Sequence, residues 1–321
     1  MIYQYDLYLN FQASYETLKE ASEQTDVSYT SISKCLNGTD GRKTAGGFIW
    51  SYEPLDHMNL PKSKLPKVLL FDLETAPILA HVWRLWKQDV GINQIVSDFF
   101  IISWSAKWLF SDTVMSNRLT SKEALEQDDS RIVKNLWTLL NEAEIVIAHN
   151  GQYFDVPKIN ARFILHGLPP TSPYQIIDTL KVAQKEFGFS SNKLDYLCRL
   201  FGIEGKLETN FELWAGCVKG DEQSLTKMEA YNRHDVEMLE ELYLKIRGWI
   251  KSHPNLQLYM EADEQVCPNC GSDYLKENGF YYTQTGKFQA FSCLSCGAVS
   301  RLRTAKMTLR ANNMLKQSIA R

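Results

Sequence analysis

Cys267-Pro-Asn-Cys270 and Cys293-Leu-Ser-Cys296, each running on into glycine, constrain this chain more tightly than any other feature of its sequence. Two C-x-x-C pairs separated by an apolar and aromatic stretch have the spacing of a four-thiolate zinc ribbon. So short a module has too little apolar interior to fold alone, and metal coordination must supply the missing energy. The expectation is one structural Zn²⁺ held by Cys267, Cys270, Cys293 and Cys296 within residues 266–303. A redox pair or free thiols would require two knuckles to arise independently. Cys35, Cys198 and Cys217 are scattered, so the pairing suits a reducing compartment in which thiols bind metal rather than oxidise.

What such a ribbon touches is left open by the residues around it. Tyr274, Phe280, Tyr281, Tyr282 and Phe288 either stack on bases or fill a scarce core. Residues 304–321 form a basic tail, and Arg301, Arg303, Lys306 and Arg310 favour nucleic acid, with a replication or repair protein as the other expected partner.

Upstream, residues 54–66 are polar and proline-rich and read as a linker, and residues 253–265 read as a second one. Between them, from 67 to 252, short apolar runs alternate with amphipathic segments: KVLLFDLE, FFIISWSAKWLF, TVMSNRLT, SRIVKNLWTLLNEA, EIVIAHN, DVPKINARFILHG and QIID, then helices through KLDYLCRLFGI and KMEAYNRHDVEMLEELYLKIRGW. This predicts an α/β fold with a mixed sheet flanked by helices. The net charge of −3 argues against a molecule whose whole surface binds nucleic acid, and assigns such binding to local basic patches. The start MIYQYDLYLN is not leader-like, and no run of about 18 apolar residues occurs, so no membrane anchorage is expected. A cytoplasmic location follows, the host cytoplasm for a viral protein.

Three acidic motifs stand on these elements. Asp72 and Glu74 close an apolar strand two apart, so both side chains project from one face. Acids at strand ends also simply face water. Asp155 follows the turn of HNGQYFD and opens a helix, where it also suits an N-cap. Tyr231 and Asp235, four apart in YNRHD, share a helix face beside the buried stripe of Val236, Leu239, Leu242 and Ile246. Asp178 is a further acidic candidate in the same sheet but reads better as an N-cap, and His149 and His234 flank the motif acids without being the expected base, His234 lying off the face of Asp235.

In this order and on these elements, FDLET, HNGQYFDVP and YNRHD resemble the three motifs of DEDDy exonucleases, whose fold is RNase H-like. The likeness is to proofreading domains of family-B polymerases and their stand-alone phage relatives. The resemblance implies two-metal 3′→5′ hydrolysis of DNA ends with Mg²⁺ or Mn²⁺, hard ions suited to an all-oxygen site. Asp72 would bridge the ions, Glu74 and Asp235 would complete the first site, and Asp155 would support the second through water. Tyr231 would orient the attacking water, because a phenol of pKa near 10 is a poor base at neutral pH. Asn150 and Phe154 would meet the terminal nucleotide, although an aromatic beside a helix start also suits the core. RNA hydrolysis or single-strand endonuclease action remains open from the acids alone, as does a DNA-binding accessory protein on a nuclease scaffold.

Residues 1–53 predict a short helix, a turn near Thr25 and Asp26, and a second helix opened by Ser28, a helix-turn-helix spacing that plain helical hairpins share. The ensemble YQYD, LKEAS, SISKCLNG and KTAGGFIW resembles the modular DNA-binding repeat of phage and intron-encoded homing nucleases. By that resemblance Ser31, Ser33, Lys34, Arg42 and Lys43 would contact DNA. The module holds more acidic than basic residues, which implies weak or assisted affinity.

Overall fold

The structure is a computed structural model and describes residues 1–6, 11–39, 44–54, 66–205, 207, 209–260 and 265–306. Two compact units divide it: residues 1–66 with 246–321, and residues 67–245. Among the described residues no helix is long and apolar enough to cross a membrane.

The chain begins with β1 (Ile2–Tyr5) and β2 (Phe11–Tyr15), continues through α1 (Leu18–Thr25) and α2 (Tyr29–Leu36), and returns in β3 (Ile49–Ser51). The three strands form an antiparallel sheet in the order β2–β1–β3. Thr17 caps α1 by accepting from the Glu20 amide at 3.1 Å, and Asp26, at φ 54°, ends it in the left-handed region that short polar side chains tolerate. Ser28 opens α2, accepting from the Ser31 amide at 3.2 Å. Ile2, Tyr15, Ala21, Val27, Ile32 and Trp50 make the core of this part, and the Trp50 indole donates to the Ala45 carbonyl at 2.8 Å.

The second unit holds β4 (Val68–Thr75), β5 (Leu79–Ala80), β6 (Ile95–Ser97), β7 (Ile101–Trp108), β8 (Val114–Arg118), α3 (Ser121–Glu126), α4 (Ser130–Glu142), β9 (Ile145–Ala148), α5 (Asp155–Leu165), β10 (Gln175–Asp178), α6 (Thr179–Glu186), α7 (Leu194–Leu200), α8 (Phe211–Val218) and α9 (Glu222–Ile246). Its five-stranded sheet runs β10–β9–β4–β7–β8, parallel from β10 to β4 and antiparallel beyond. Strand β4 is therefore central, with both neighbours paired, and its run of Val68 to Phe71 is buried throughout. Helix α4 turns Ile132, Val133, Leu136 and Leu140 to the core. Full burial of each of these side chains contributes roughly 1.5–3 kcal/mol.

One ionic knot fastens elements of this unit that also carry its acidic motifs. Asp129, fully buried, accepts from the Ile101 amide at 2.8 Å, from Arg162 Nε at 2.7 Å and Nη2 at 2.6 Å, and pairs with His166 Nε2 at 2.5 Å. It ties the start of α4 to β7 and α5. Breaking such a pair strands the remaining charge, so Asp129→Ala is expected to lower unfolding stability by about 3–5 kcal/mol in urea titrations. A loss below about 1 kcal/mol, the range of exposed pairs, would show that Arg162 is not confined by this contact.

The chain closes with β11 (Leu275–Tyr282), β12 (Lys287–Cys293) and β13 (Val299–Arg301), an antiparallel sheet in that order. This segment packs with the N-terminal one inside the first unit. The Gly47 amide donates to Asp273 at 3.1 Å and the Tyr274 hydroxyl donates to the Asp26 carbonyl at 3.2 Å. Gly47 has φ +80°, and a Cβ there would lie 2.6 Å from Ser295 Oγ and 2.7 Å from Ser272 Oγ, so the contact admits only glycine.

Candidate active site

Alternation along β4 puts Asp72 and Glu74 on one face near the strand's C-terminal end, both half-buried. Helix α9 joins the core of the sheet through Leu225, Met228 and Tyr231, and Asp235 on the same helix, only 3% exposed, comes to the two strand acids. One carboxylate oxygen each from Asp72, Glu74 and Asp235 lie within 4.8 Å of one another. Three carboxylates that close repel, and a divalent cation relieves the repulsion while satisfying oxygen ligands. The donor set therefore fits Mg²⁺ or Mn²⁺ and offers nothing soft for zinc.

Asp155 opens α5 as expected but stands outside this group of three. It is 2% exposed, and its Oδ1 accepts from the Leu73 amide at 3.1 Å, between the two strand acids. Burial holds its carboxyl up at about 7; the Asp178 charge adds to this, and the Leu73 hydrogen bond opposes it. The turn before it has strict local demands. Asn150 sits at φ 70°, and a Cβ on Gly151 would lie 2.3 Å from that of Ala148. Asp178 holds this turn by accepting from the amides of Asn150 at 3.0 Å and Gln152 at 3.2 Å, while it caps α6 through Leu180 and Lys181.

Tyr231 is 3% exposed and meets Trp214 edge-on, ring centroids 6.1 Å apart. His149 lies between the Thr179 hydroxyl and the Asn192 carbonyl, and His234 is bonded to the Gly205 carbonyl at 2.9 Å, so both imidazoles are engaged structurally. Phe154 is 39% exposed, with Lys158 Nζ 4.9 Å from its ring.

Asn232 is the residue that sequence reasoning missed. Fully buried, it donates from Nδ2 to Asp72 Oδ2 at 2.7 Å, and its Oδ1 faces Ser103 Oγ at 3.4 Å. The available signal was its position three before Asp235 on one helix, a spacing that shares a face. Groups that orient a ligating carboxylate typically carry 10–100-fold in metal affinity or activity. Asn232→Ala is therefore expected to weaken Mn²⁺ binding by about tenfold or more in calorimetric titration, with less effect on kcat at saturating metal. Unchanged affinity would remove its positioning role.

In the other unit the four cysteine sulfurs lie within 4.8 Å of one another, with Cys267 to Cys296 and Cys270 to Cys293 at 3.6 Å. A tetrahedron with bonds of about 2.3 Å has edges of about 3.8 Å, so this spacing fits zinc. Gly271 and Gly297, both at φ 75°, let each knuckle turn back, their amides donating to the Cys267 and Cys293 carbonyls at 2.8 and 3.0 Å. Proximity to the other thiols, Cys267 first, pushes the Cys270 thiol far above its ordinary value in the protein alone. Of the five aromatics around the cysteines, Phe280, Tyr281 and Tyr282 are exposed, Tyr281 52% and Tyr282 65%, while Tyr274 and Phe288 are half-buried; Lys287 lies 3.8 Å over Phe280 and Arg301 4.1 Å over Phe288.

On α2, Lys34 is exposed, whereas Ser31 and Ser33 are half-buried and take part in the helix's own ends, Ser31 Oγ with Ser28 at 2.9 Å and Ser33 Oγ with Asn37 at 3.3 Å. Arg42, Lys43 and Arg310 lie outside the described residues.

Residues 108–247 match the family model RNase_H_2, described as RNase_H superfamily. The match begins downstream of Asp72 and Glu74 and includes Asp155, Tyr231 and Asp235. Over 63 residues the chain is 48% identical to "Probable mobile endonuclease B" of Enterobacteria phage T4, covering 19% of this chain and 22% of that protein. Over 179 residues it is 24% identical to "DNA polymerase III PolC-type" of Ureaplasma parvum, covering 54% of this chain and 12% of that one. The chain thus spans less than a quarter of either relative's length. A family B DNA polymerase structure from Pyrobaculum calidifontis aligns with TM-score 0.43 at 14% identity, over 62% of this chain and 27% of that one, a likeness too slight to carry an argument. With the mixed five-stranded sheet, its flanking helices and the superfamily match in agreement, the chain carries an RNase H-like superfamily domain.

Proposed function

We propose that this protein is a two-metal 3′→5′ exonuclease of the DEDDy, phage type, acting at DNA 3′ ends. The observation that carries the reading is the meeting of the Asp72, Glu74 and Asp235 carboxylates within 4.8 Å at the end of the central strand. Asp72, Glu74 and Asp235 would hold the catalytic Mg²⁺ or Mn²⁺, with Asp155 supporting a second ion. When bound, such ions activate water and neutralise charge on the attacking and leaving oxygens. The protein's own part is positional. Asn232 fixes the Asp72 carboxylate, Asp178 fixes the turn that delivers Asp155, and exposed Phe154 offers a face to the terminal base.

Tyr231 is assigned the orientation of the attacking water. Tyr231→Phe is then expected to lower kcat on the order of 10²-fold, the scale of a misplaced reactant, while metal affinity stays close to wild type. A defect confined to metal affinity would contradict that role.

Around this centre, the helix-turn-helix-type module would bring the enzyme to DNA through α2, with Ser31, Ser33, Lys34, Arg42 and Lys43 as its contacts. One Zn²⁺ on Cys267, Cys270, Cys293 and Cys296 would hold the ribbon, whose cation-covered aromatics suit a nucleic-acid strand. The ribbon is also the proposed contact for a replication or repair protein. One observation favours a second reading, endonuclease action, namely the 48% identity to a phage protein named as a mobile endonuclease. The test is hydrolysis of single-stranded DNA, duplex DNA and RNA oligomers with Mg²⁺, Mn²⁺ or chelator. Metal-dependent loss of DNA from its ends supports the proposal; no hydrolysis of any of them with either metal overturns it.

A further inference from the structure

The segment between β4 and β7 departs from the rule that ordered apolar side chains are covered. It leaves the sheet directly after the acids and returns beside them, closed by the Ala76 amide donating to the Phe100 carbonyl at 2.8 Å. Strands β5 and β6 pair at its base. Beyond them Trp83 is 94% exposed, Leu85 85%, Trp86 79% and Ile92 89%. Single exposed apolar residues are ordinary, but a cluster of this size marks a binding surface. The tip is nonetheless built: Arg84 Nη2 donates to the Lys87 carbonyl at 2.7 Å, the Arg84 amide donates to Gln88 Oε1 at 3.2 Å, and Lys87 holds φ 52°. Farther back, His81 and Gln94 exchange bonds, amide to carbonyl at 2.9 Å and Gln94 Nε2 to the His81 carbonyl at 2.8 Å.

Two features say what covers it. Trp83-Arg84-Leu85-Trp86-Lys87 interleaves two indoles with two cations, and no acid occurs from Ile78 to Gln88 in a chain of net charge −3. Stacking faces alternating with positive charge complement a strand of bases and phosphates. The same pairing continues at the base of the arm, where Lys158 Nζ lies 3.8 Å from the Phe99 ring and 4.9 Å from that of Phe154, next to Asp155. Trp83 follows Thr75 by eight residues in sequence, so it lies at most about 29 Å from the end of β4.

We propose that residues 77–99 form an arm that holds single-stranded nucleic acid, Trp83 and Trp86 stacking on bases and Arg84 and Lys87 beside phosphates, upstream of a 3′ end at the Asp72–Glu74–Asp235 cluster. The proposal rests on the nuclease reading of that cluster. It makes the arm a length sensor: a strand long enough to reach the tryptophans is held, and a shorter one meets only the acids and Phe154.

The test uses the full chain, wild type and Trp83→Ala/Trp86→Ala, with 5′-fluorescein single-stranded DNA of about 16 and about 4 nucleotides, the span of common single-strand site sizes. Affinity is read by anisotropy with Ca²⁺ in place of Mg²⁺, and hydrolysis with Mg²⁺. Expected is a rise of about tenfold or more in Kd for the long strand, unchanged hydrolysis of the short one, and recovery of long-strand affinity in Trp83→Phe/Trp86→Phe. Wild-type affinity of the alanine variant for the long strand overturns the proposal and leaves the tip to a protein partner, while wild-type hydrolysis in the same assay keeps the nuclease reading. Loss of long-strand affinity with no hydrolysis by either protein sustains the arm and removes the nuclease reading. Failure of the wild-type protein to bind the long strand refutes the arm outright.

Discussion

Asp72→Ala and Asp235→Ala are each expected to abolish metal-dependent hydrolysis while the protein stays folded. Asp72 is the strand acid that Asn232 holds, and Asp235 is 3% exposed beside two other carboxylates. Removing either breaks a cage that supplies several kcal/mol of charge stabilisation in the transition state. At 1.36 kcal/mol per tenfold, about 4 kcal/mol is a loss of roughly 10³-fold in kcat/KM. Asp72→Ala also strands the buried Asn232 amide, which offsets any gain in stability; for Asp235→Ala stability should move the other way, since deleting one of three crowded acids relieves repulsion in metal-free protein. Thermal unfolding in chelator reads this as an equal or higher Tm. Wild-type rates in both purified variants would refute the assignment.

Cys270→Ser is expected to release one zinc ion and unfold the C-terminal ribbon without abolishing hydrolysis. Structural zinc contributes an apparent 10–16 kcal/mol to modules of this kind, more than so small a core provides. The loss should spread inside its own unit, because Gly47 bonds to Asp273 and Tyr274 bonds to the Asp26 carbonyl. Amide exchange should therefore quicken around Gly47 and Asp26 as well as along β11 and β12, while β4, β7 and β9 keep their protection. Mild chelation should separate the two metals. The oxygen-ligand ions leave and activity returns with Mg²⁺ or Mn²⁺ alone, whereas the closed thiolate site retains its zinc. Elemental analysis finding no zinc in protein with all four cysteines reduced and intact would contradict the ribbon.

The acids were legible because strand and helix periodicities are rigid rules. Residues two apart on β4 and four apart on α9 must share faces, and the apolar runs around them mark which faces are buried. The capping residues were legible for a similar local reason, as Ser28 and Asp178 show. Tertiary direction was not. Asp155 turns its oxygen to the Leu73 amide instead of joining the other three acids, a choice fixed by how α5 docks. Asn232 shares a helix face with Asp235 by its spacing, but nothing local tells that its amide reaches Asp72 on another element. Helix α9 starts at Glu222, ahead of the expected Lys227, because Asp221 follows Gly220 at φ 71° and accepts from the Ser224 amide. The arm carries no such signal: the run from Ile78 to Gln88 has no strand or helix period that marks a face, and only the folded chain shows Trp83, Leu85 and Trp86 uncovered.

The most direct test of the central claim is product analysis on two forms of one single strand, a 5′-labelled linear oligomer and its covalently closed circle, with Mg²⁺ or Mn²⁺. The account predicts a ladder of 5′-labelled products shortening stepwise from the 3′ end, intact circles, and no ladder with Asp72→Ala. Circles opened at the rate at which linear strands disappear would contradict exonuclease action and assign the same acids to an endonuclease.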